Sequence, residues 1–401
     1  MPCKGHTKSR RGCLNCKRRR VKCSETHPQC THCVRLGLPC EYPPPNPNPN
    51  AISPTGPMGN PRKSLSSTPT QFSMDDLRFF QHFLLTAYPP MPIGGDDIWR
   101  GVARLSHDFD YLVHAMLGLG ASHLSLCLAS DSSTSSADYS SQALSHRVRA
   151  ISSLNHALSQ PCTSRIEGDA RFATIMALAF QSSHMPDGML EFVSMVRGCI
   201  VVAETAIPSL RESAFASFST EEHVRRVYEM SAAFGEDTAQ WYRDVAWYRA
   251  FAQQGLASVK ALEPLCQDDF ERMYYSNLYS TLEKSIVSPV EGFAELCCGY
   301  SVLERVAHDA FTRFVDPNNA TAQLLLVHFF LVEHEIGMLA LRTIAQAYPF
   351  RGSITTAWIH DVAARLPSEY SCYMAWPIAY TLSGNMRSSM EQRIPLGGVV
   401  T

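Results

Sequence analysis

Most of the chain repeats its large apolar residues at steps of three and four, the spacing that lines one face of an α-helix. Leu77, Phe80, Phe83 and Leu84 open this pattern. They follow Ser73, which predicts an N-cap, with Asp75 and Asp76 in the first turn where the helix dipole favours carboxylates. Further apolar-periodic or apolar-rich stretches occupy 109–130, 139–158, 168–181, 187–205, 221–232, 238–260, 266–287, 291–315, 320–347 and 369–382. Turn residues punctuate them: Pro89-Pro90, Gly94-Gly95, the polar run 131–136, Pro161, Pro186, Pro208, Pro289, Pro317-Asn318-Asn319 and Pro349. Few runs alternate with the period of two that a half-buried strand needs. Residues 74–401 are therefore expected to form one large all-α domain.

The pattern is absent before Met74. Residues 44–73 begin Pro44-Pro45-Asn46-Pro47-Asn48-Pro49-Asn50 and continue in Ser, Thr, Pro and Gly. Proline removes a backbone donor and fixes φ, and too few apolar side chains remain to build a core, so this segment predicts a disordered linker. Residues 1–43 form a third zone, poor in apolar residues and rich in cysteine and positive charge.

Charge sharpens the division. The whole chain carries a net charge of only −2, yet residues 1–43 hold ten Lys/Arg against Glu25 and Glu41. The rest of the chain is correspondingly acidic. A basic head on an acidic body predicts a polyanion-binding module beside a separate domain. No run of 18 uninterrupted apolar residues occurs, so no membrane partner is expected. The start, Met1-Pro2-Cys3-Lys4-Gly5-His6, has no secretory h-region. Thiols are then expected to stay reduced, and cysteines to bind metal or pack rather than form disulfides.

Six of the fourteen cysteines, Cys13, Cys16, Cys23, Cys30, Cys33 and Cys40, obey C-x2-C-x6-C-x6-C-x2-C-x6-C. The pattern is two similar halves. A zinc ion takes four ligands in a tetrahedron. Six thiolates satisfy two such ions only if two sulfurs are shared, so the count predicts a binuclear cluster of two Zn2+. Leu14, Val21, Val34, Leu36 and Leu38 are the only large apolar residues between Cys13 and Cys40. They cannot offset a backbone ordering cost of roughly 1–2 kcal/mol per residue, whereas a structural zinc supplies roughly 10–16 kcal/mol. Folding of the head is expected to depend on metal. Cys3 falls outside the pattern.

Lys17-Arg18-Arg19-Arg20-Val21-Lys22 lies between the second and third of these cysteines. A free basic hexamer would read as a nuclear-import tag or a nonspecific polyanion patch. Fixed at both ends by metal ligands, it predicts a rigid element that reads double-stranded DNA, a role compatible with import.

The segment of about residues 10–43 closely resembles the fungal Zn2Cys6 binuclear-cluster transcription-factor head. The resemblance implies that Cys13 and Cys30 bridge the ions, that Cys16 and Cys23 complete one, and that Cys33 and Cys40 complete the other. Pro28 matches a proline between the family's halves. A short helix near Cys16 would enter the major groove, with Arg19 and Arg20 on bases and Lys17, Arg18 and Lys22 on phosphates, together with Lys8, Arg10, Arg11 and Arg35. The implied target is a CGG-like or other CG-containing half-site, although the family usually has lysine at one or both base-reading positions. The stretch Ser9 to Cys23, with Met74-Asp75-Asp76-Leu77 and the run Tyr111 to Leu124, is similar to the sterol uptake control subgroup. That likeness implies a helical regulatory domain, a sterol or other small lipophilic effector, contacts with the transcription machinery, and a nuclear regulator of RNA polymerase II transcription serving a metabolic pathway or biosynthetic gene cluster. The stretch Leu77 to Leu84 is too short and aromatic for a zipper, so a homodimer would form without an evident coiled coil.

No catalytic set emerges, and an enzyme is not expected. Gly118-x-Gly120 lacks a preceding strand and a third glycine. His328 and His334 are six apart, off one helical face, and read as solvated or capping residues. Cys297-Cys298 reads as a buried pair of small side chains. Phe329, Phe330, Leu331, Trp358, Tyr373, Met374 and Trp376 read as ordinary core before a lipid pocket. The tail after Ser383 is short and not acidic, so activation would need the helical surface or a partner.

Overall fold

A computed structural model describes residues 12–19, 21–42, 72–130, 138–206, 212–233, 239–304, 306–340, 347–384 and 386. The chain divides into two units, Met1–Ser66 and Ser67–Thr401. The linker expected at 44–73 lies outside the described residues except for Phe72 and Ser73. In the first unit two one-turn helices stand out, α1 (Leu14–Arg18) and α2 (Thr31–Arg35).

The second unit is helical, with no strand among the described residues. It opens with α3 (Met74–His82), capped as expected: the Asp76 N–H donates to Ser73 Oγ, and the Ser73 N–H donates back to Asp76 Oδ2. There follow α4 (Asp96–Ala103), α5 (Asp110–Ser130), α6 (Ser140–Leu158), α7 (Arg165–Ser182) and α8 (Met189–Ala206). Next come α9 (Thr220–Ala233), α10 (Ala239–Lys260), α11 (Asp269–Val287), α12 (Pro289–Ser301), α13 (His308–Phe314) and α14 (Ala320–Ala340). The last two are α15 (Arg351–Arg365) and α16 (Ala375–Leu382).

Two helices have no legible apolar period, and the expected 291–315 stretch is broken. α4 is only eight residues and starts straight after the Gly94-Gly95 turn. α15 buries Ile354, Thr355, Trp358, Ile359 and Val362, but Gly352 and Ser353 before them and Thr355 and Thr356 among them dilute the apolar signal. The 291–315 stretch divides at Val302–Glu304, a 3-10 turn separating α12 from α13.

α5 and α14 form the centre of the unit. α5 packs on α3, α6 and α7, and α14 packs on α11, α12 and α15. On α14, Leu324, Leu325, Leu326, Val327, Leu331, Val332 and Ile336 are all fully buried, so the helix is apolar on every side. Asp110–Ala129 of α5 is long and apolar enough to cross a bilayer by length and composition. Here Leu112, Ala115, Met116 and Leu119 bury that surface against neighbouring helices instead. The Gly118-x-Gly120 pair serves this packing. A Cβ on Gly120 would stand 2.3 Å from the Phe79 carbonyl oxygen of α3, so only glycine permits that approach.

Buried polar groups tie the layers together. Arg147 of α6 donates to the Leu178 carbonyl (2.9 Å) and Ser182 Oγ (2.6 Å) of α7 and pairs with Glu191 of α8 (2.8 Å). His82 Nε2 lies 2.9 Å from His123 Nδ1, and His114 Nδ1 lies 3.0 Å from His146 Nδ1, whose Nε2 meets Asp76 at 2.8 Å. His328 is buried rather than solvated, bonded to Ser258 Oγ (2.9 Å) and the Leu324 carbonyl (2.7 Å). His334 is buried as well. The aromatic set near the C-terminus is core as expected: Phe329, Phe330, Trp358 and Met374 are buried, and Tyr373 and Trp376 half-buried.

Two outcomes follow for this unit. Gly120→Ala should destabilise it by about 1–3 kcal/mol, because backbone rather than a flexible side chain blocks the new methyl; thermal melts check this. Burial pushes His114 down to about 4 and His123 to about 3. An unfolded histidine takes its proton near pH 6.5, well before these folded ones do. The unfolded state therefore binds more protons as pH falls, and stability should drop progressively from about pH 6.5 toward pH 4. His123→Phe should flatten that dependence in melting temperatures measured across the range.

Candidate metal centre and nucleic-acid interface

The head has almost no hydrocarbon interior. Leu14, Val34, Leu36 and Val21 are exposed, at 49%, 59%, 45% and 42%. What is buried is sulfur: Cys13, Cys16, Cys23, Cys30 and Cys33, with Cys40, Leu38 and Tyr42 packed beside them.

The two halves repeat the same local chemistry seventeen residues apart. Cys13 is the N-cap of α1, and its Sγ accepts from the Cys16 N–H at 3.4 Å. Cys30 is the N-cap of α2, and its Sγ accepts from the Cys33 N–H at 3.3 Å. Sulfur thus replaces the oxygen of an ordinary Ser or Asp cap. The third cysteine of each half folds back on the first: the Cys13 N–H donates to Cys23 Sγ (3.4 Å), and the Cys30 N–H to Cys40 Sγ (3.2 Å). These donors would stabilise thiolates. Cross-links complete the frame. The Leu14 N–H donates to the Glu41 carbonyl (2.8 Å), and Asn15 Nδ2 donates to the Pro39 carbonyl (2.9 Å).

The sulfurs form two overlapping quartets, Cys13–Cys16–Cys23–Cys30 and Cys13–Cys30–Cys33–Cys40, each with all ligand atoms within 4.8 Å of one another. Cys13 and Cys30 belong to both. Tetrahedral zinc at about 2.3 Å from each sulfur requires S···S edges of about 3.8 Å. The separations Cys13–Cys30 (3.8 Å), Cys13–Cys33 (3.7 Å) and Cys16–Cys30 (3.6 Å) suit that geometry.

The basic run lies on the outside of this sulfur core. Lys17 and Arg18 occupy the last turn of α1, Arg19 is its C-cap, and Lys22 sits in the extended segment that returns to Cys23. All four are exposed. Arg18 Nη2 donates to Asn15 Oδ1 at 3.2 Å, which holds that guanidinium along the helix. Arg35 is exposed on α2. Arg20, Lys8, Arg10 and Arg11 lie outside the described residues.

Residues 11–49 match the fungal Zn(2)-Cys(6) binuclear cluster domain, and residues 77–224 match the fungal specific transcription factor domain. A Zn(2)-C6 fungal-type transcription factor of Aspergillus fumigatus, afumD, is 32% identical over 220 residues, covering 52% of this chain and 57% of that protein. Sterol uptake control protein 2 of Saccharomyces cerevisiae is 56% identical over 41 residues, 10% of this chain and 4% of its own. Transcriptional regulatory protein pro1 of Neurospora crassa is 57% identical over 37 residues, 9% of this chain and 5% of its own. The chain thus spans little more than half the length of the first of these relatives and far less of the others. No solved structure matches. The chain therefore carries a Zn2Cys6 cluster domain and a fungal specific transcription factor domain. A Zn2Cys6 domain binds two zinc ions, and the six sulfurs here are placed to hold them. The family and these relatives are transcription factors, not enzymes, and the family is nuclear in general.

Metal removal should separate the two units. With a strong zinc chelator, the head is expected to lose its ordered far-UV signal and any DNA affinity, while the helical signal and melting transition of residues 72 onward persist. A zinc-free head that retained native circular dichroism would contradict the dependence on metal.

Proposed function

We propose that the chain is a zinc-dependent, sequence-specific DNA-binding regulator of RNA polymerase II transcription, working in the nucleus on a metabolic pathway or biosynthetic gene cluster. One observation carries this reading: an exposed basic turn whose two ends are cysteines of one sulfur quartet, Cys16 and Cys23. In it, Cys13 and Cys30 bridge two zinc ions, Cys16 and Cys23 complete the first, and Cys33 and Cys40 complete the second. The shared quartet positions of Cys13 and Cys30 support the assignment.

A pinned turn presents its side chains without first paying ordering entropy, which favours base reading over loose phosphate attraction. Arg19 and Arg20 are assigned to base edges of a CG-containing half-site. Lys17, Arg18 and Lys22 are assigned to phosphates. The Arg18 bond to Asn15 suits a guanidinium that supports α1 while touching the DNA backbone. The helical unit is assigned the regulatory role, including contact with the transcription machinery and response to a lipophilic effector. Relatives named for sterol uptake match over 41 residues only, so a particular effector does not follow from that likeness.

Fluorescence anisotropy with a CG-containing duplex and a scrambled one tests the assignment. Arg19→Ala should cost about 1–3 kcal/mol on the specific duplex and little on the scrambled one. Lys22→Ala should weaken both alike and lower the salt slope by about one. Equal losses on both duplexes from Arg19→Ala would remove Arg19 from base reading.

A further inference from the structure

α1 is a single turn and a half, and a helix that short does not persist in water without outside contacts. Cysteines of the cluster fix its start, at Cys13, and its middle, at Cys16. The end of the helix, which carries Lys17, Arg18 and Arg19, lies beyond both, and the next cysteine is Cys23.

Asn15 holds that end. It is 9% exposed, the one buried polar side chain among the described residues of the head. Asparagine favours caps and turns over helix interiors, so its burial inside α1 needs another reason. Three hydrogen bonds supply it. The Asn15 carbonyl accepts from the Arg19 N–H (3.0 Å), Asn15 Oδ1 accepts from Arg18 Nη2 (3.2 Å), and Asn15 Nδ2 donates to the Pro39 carbonyl (2.9 Å). A guanidinium only donates and a carbonyl only accepts, so the amide fits in this orientation and not flipped. Pro39 belongs to the other half of the head, directly before Cys40. The Leu14 N–H bond to the Glu41 carbonyl (2.8 Å) lays the same segment along α1. One amide thus joins the second half of the head to an exposed arginine of the basic turn.

Among the described residues, Lys17, Arg19 and Lys22 make no side-chain hydrogen bond of this kind. A long free side chain loses rotamer freedom when DNA fixes it. Arg18 has lost part of that freedom beforehand, and the bond to Asn15 leaves its other guanidinium donors open to a phosphate.

We propose that Asn15 is a positioning residue for DNA binding: its amide ties the Arg18 guanidinium to the Pro39 carbonyl, so that α1 presents this side chain to a phosphate in one pose. The inference rests on the DNA-binding reading of the basic turn.

A double-mutant cycle on the zinc-loaded full chain tests it, read by fluorescence anisotropy with the CG-containing and scrambled duplexes. Asn15→Ala should weaken both about three- to tenfold and keep the salt slope, because the Arg18 charge remains. Arg18→Ala should weaken both and lower the slope by about one. With Arg18→Ala already in place, Asn15→Ala should change affinity by less than about twofold. Equal losses from Asn15→Ala in the two backgrounds would make Asn15 a merely structural residue and overturn the proposal. Nuclear magnetic resonance of arginine-labelled protein gives a second reading without DNA. Rotation of the Arg18 guanidinium should be slower than that of Arg19, and should match it after Asn15→Ala. An Arg18 as mobile as Arg19 in the wild type would equally overturn the proposal. Zinc content and circular dichroism show whether each variant is folded. If Asn15→Ala loses zinc, Asn15→Ser, which keeps a donor on α1 with a shorter side chain, takes its place in the cycle. Loss of zinc from both would make Asn15 a folding residue and overturn the proposal. If the wild type binds neither duplex, the DNA-binding reading fails and the use of the tether with it, while the guanidinium measurement still shows whether the tether exists.

Discussion

The head depends on six sulfurs being brought within bonding range of two shared points. Most of its large aliphatic side chains face water, and among the described residues its interior is the cysteine cluster with Leu38 and Tyr42 half-buried beside it. Backbone order over some thirty residues cannot be sustained by so little buried hydrocarbon. Metal–thiolate bonds supply what the core lacks. The same constraint fixes the basic turn, since Cys16 and Cys23 hold its two ends. The cysteines that hold the sulfur core therefore also hold the ends of the arginine-rich turn.

The helical unit is stabilised by the opposite means. α14 buries apolar residues on every side, and α5 does so against three neighbours. Its buried polar groups are mostly paired, as with Arg147 between α7 and α8 and Asp76 with His146 and the α3 cap. Against that background the open space beside Gly337 is a departure from close packing. Metal–thiolate bonds suit one unit and hydrocarbon burial holds the other, so a change in zinc supply would act on the head and spare the helical unit.

The residue pattern alone carried the cysteine spacing, the basic turn, the Ser73 cap and most of the helices. These are local signals: a metal-ligand interval, a charge run, a capping residue and a period of three to four are all written in consecutive positions. It missed α4, too short for the period to repeat, and α15, whose Gly, Ser and Thr positions blur the apolar face. It also read His328 and His334 as solvated or capped helix residues, whereas both are buried, because a helix apolar on all sides gives no face on which to place a polar residue.

By itself, then, the order of residues determined that a six-cysteine zinc cluster, a basic turn and a helical body share one chain. Only the tertiary arrangement decided that Gly120 lets α5 lie on the Phe79 carbonyl, that Arg351 pairs with Glu333 at 3.1 Å, and that a pocket of about 600 Å³ opens between helices far apart in the chain. The physical reason is distance along the chain. Ligand spacing and helical period are set by neighbours a few positions away, whereas a cavity is what remains when distant helices pack, and no short stretch of sequence encodes it.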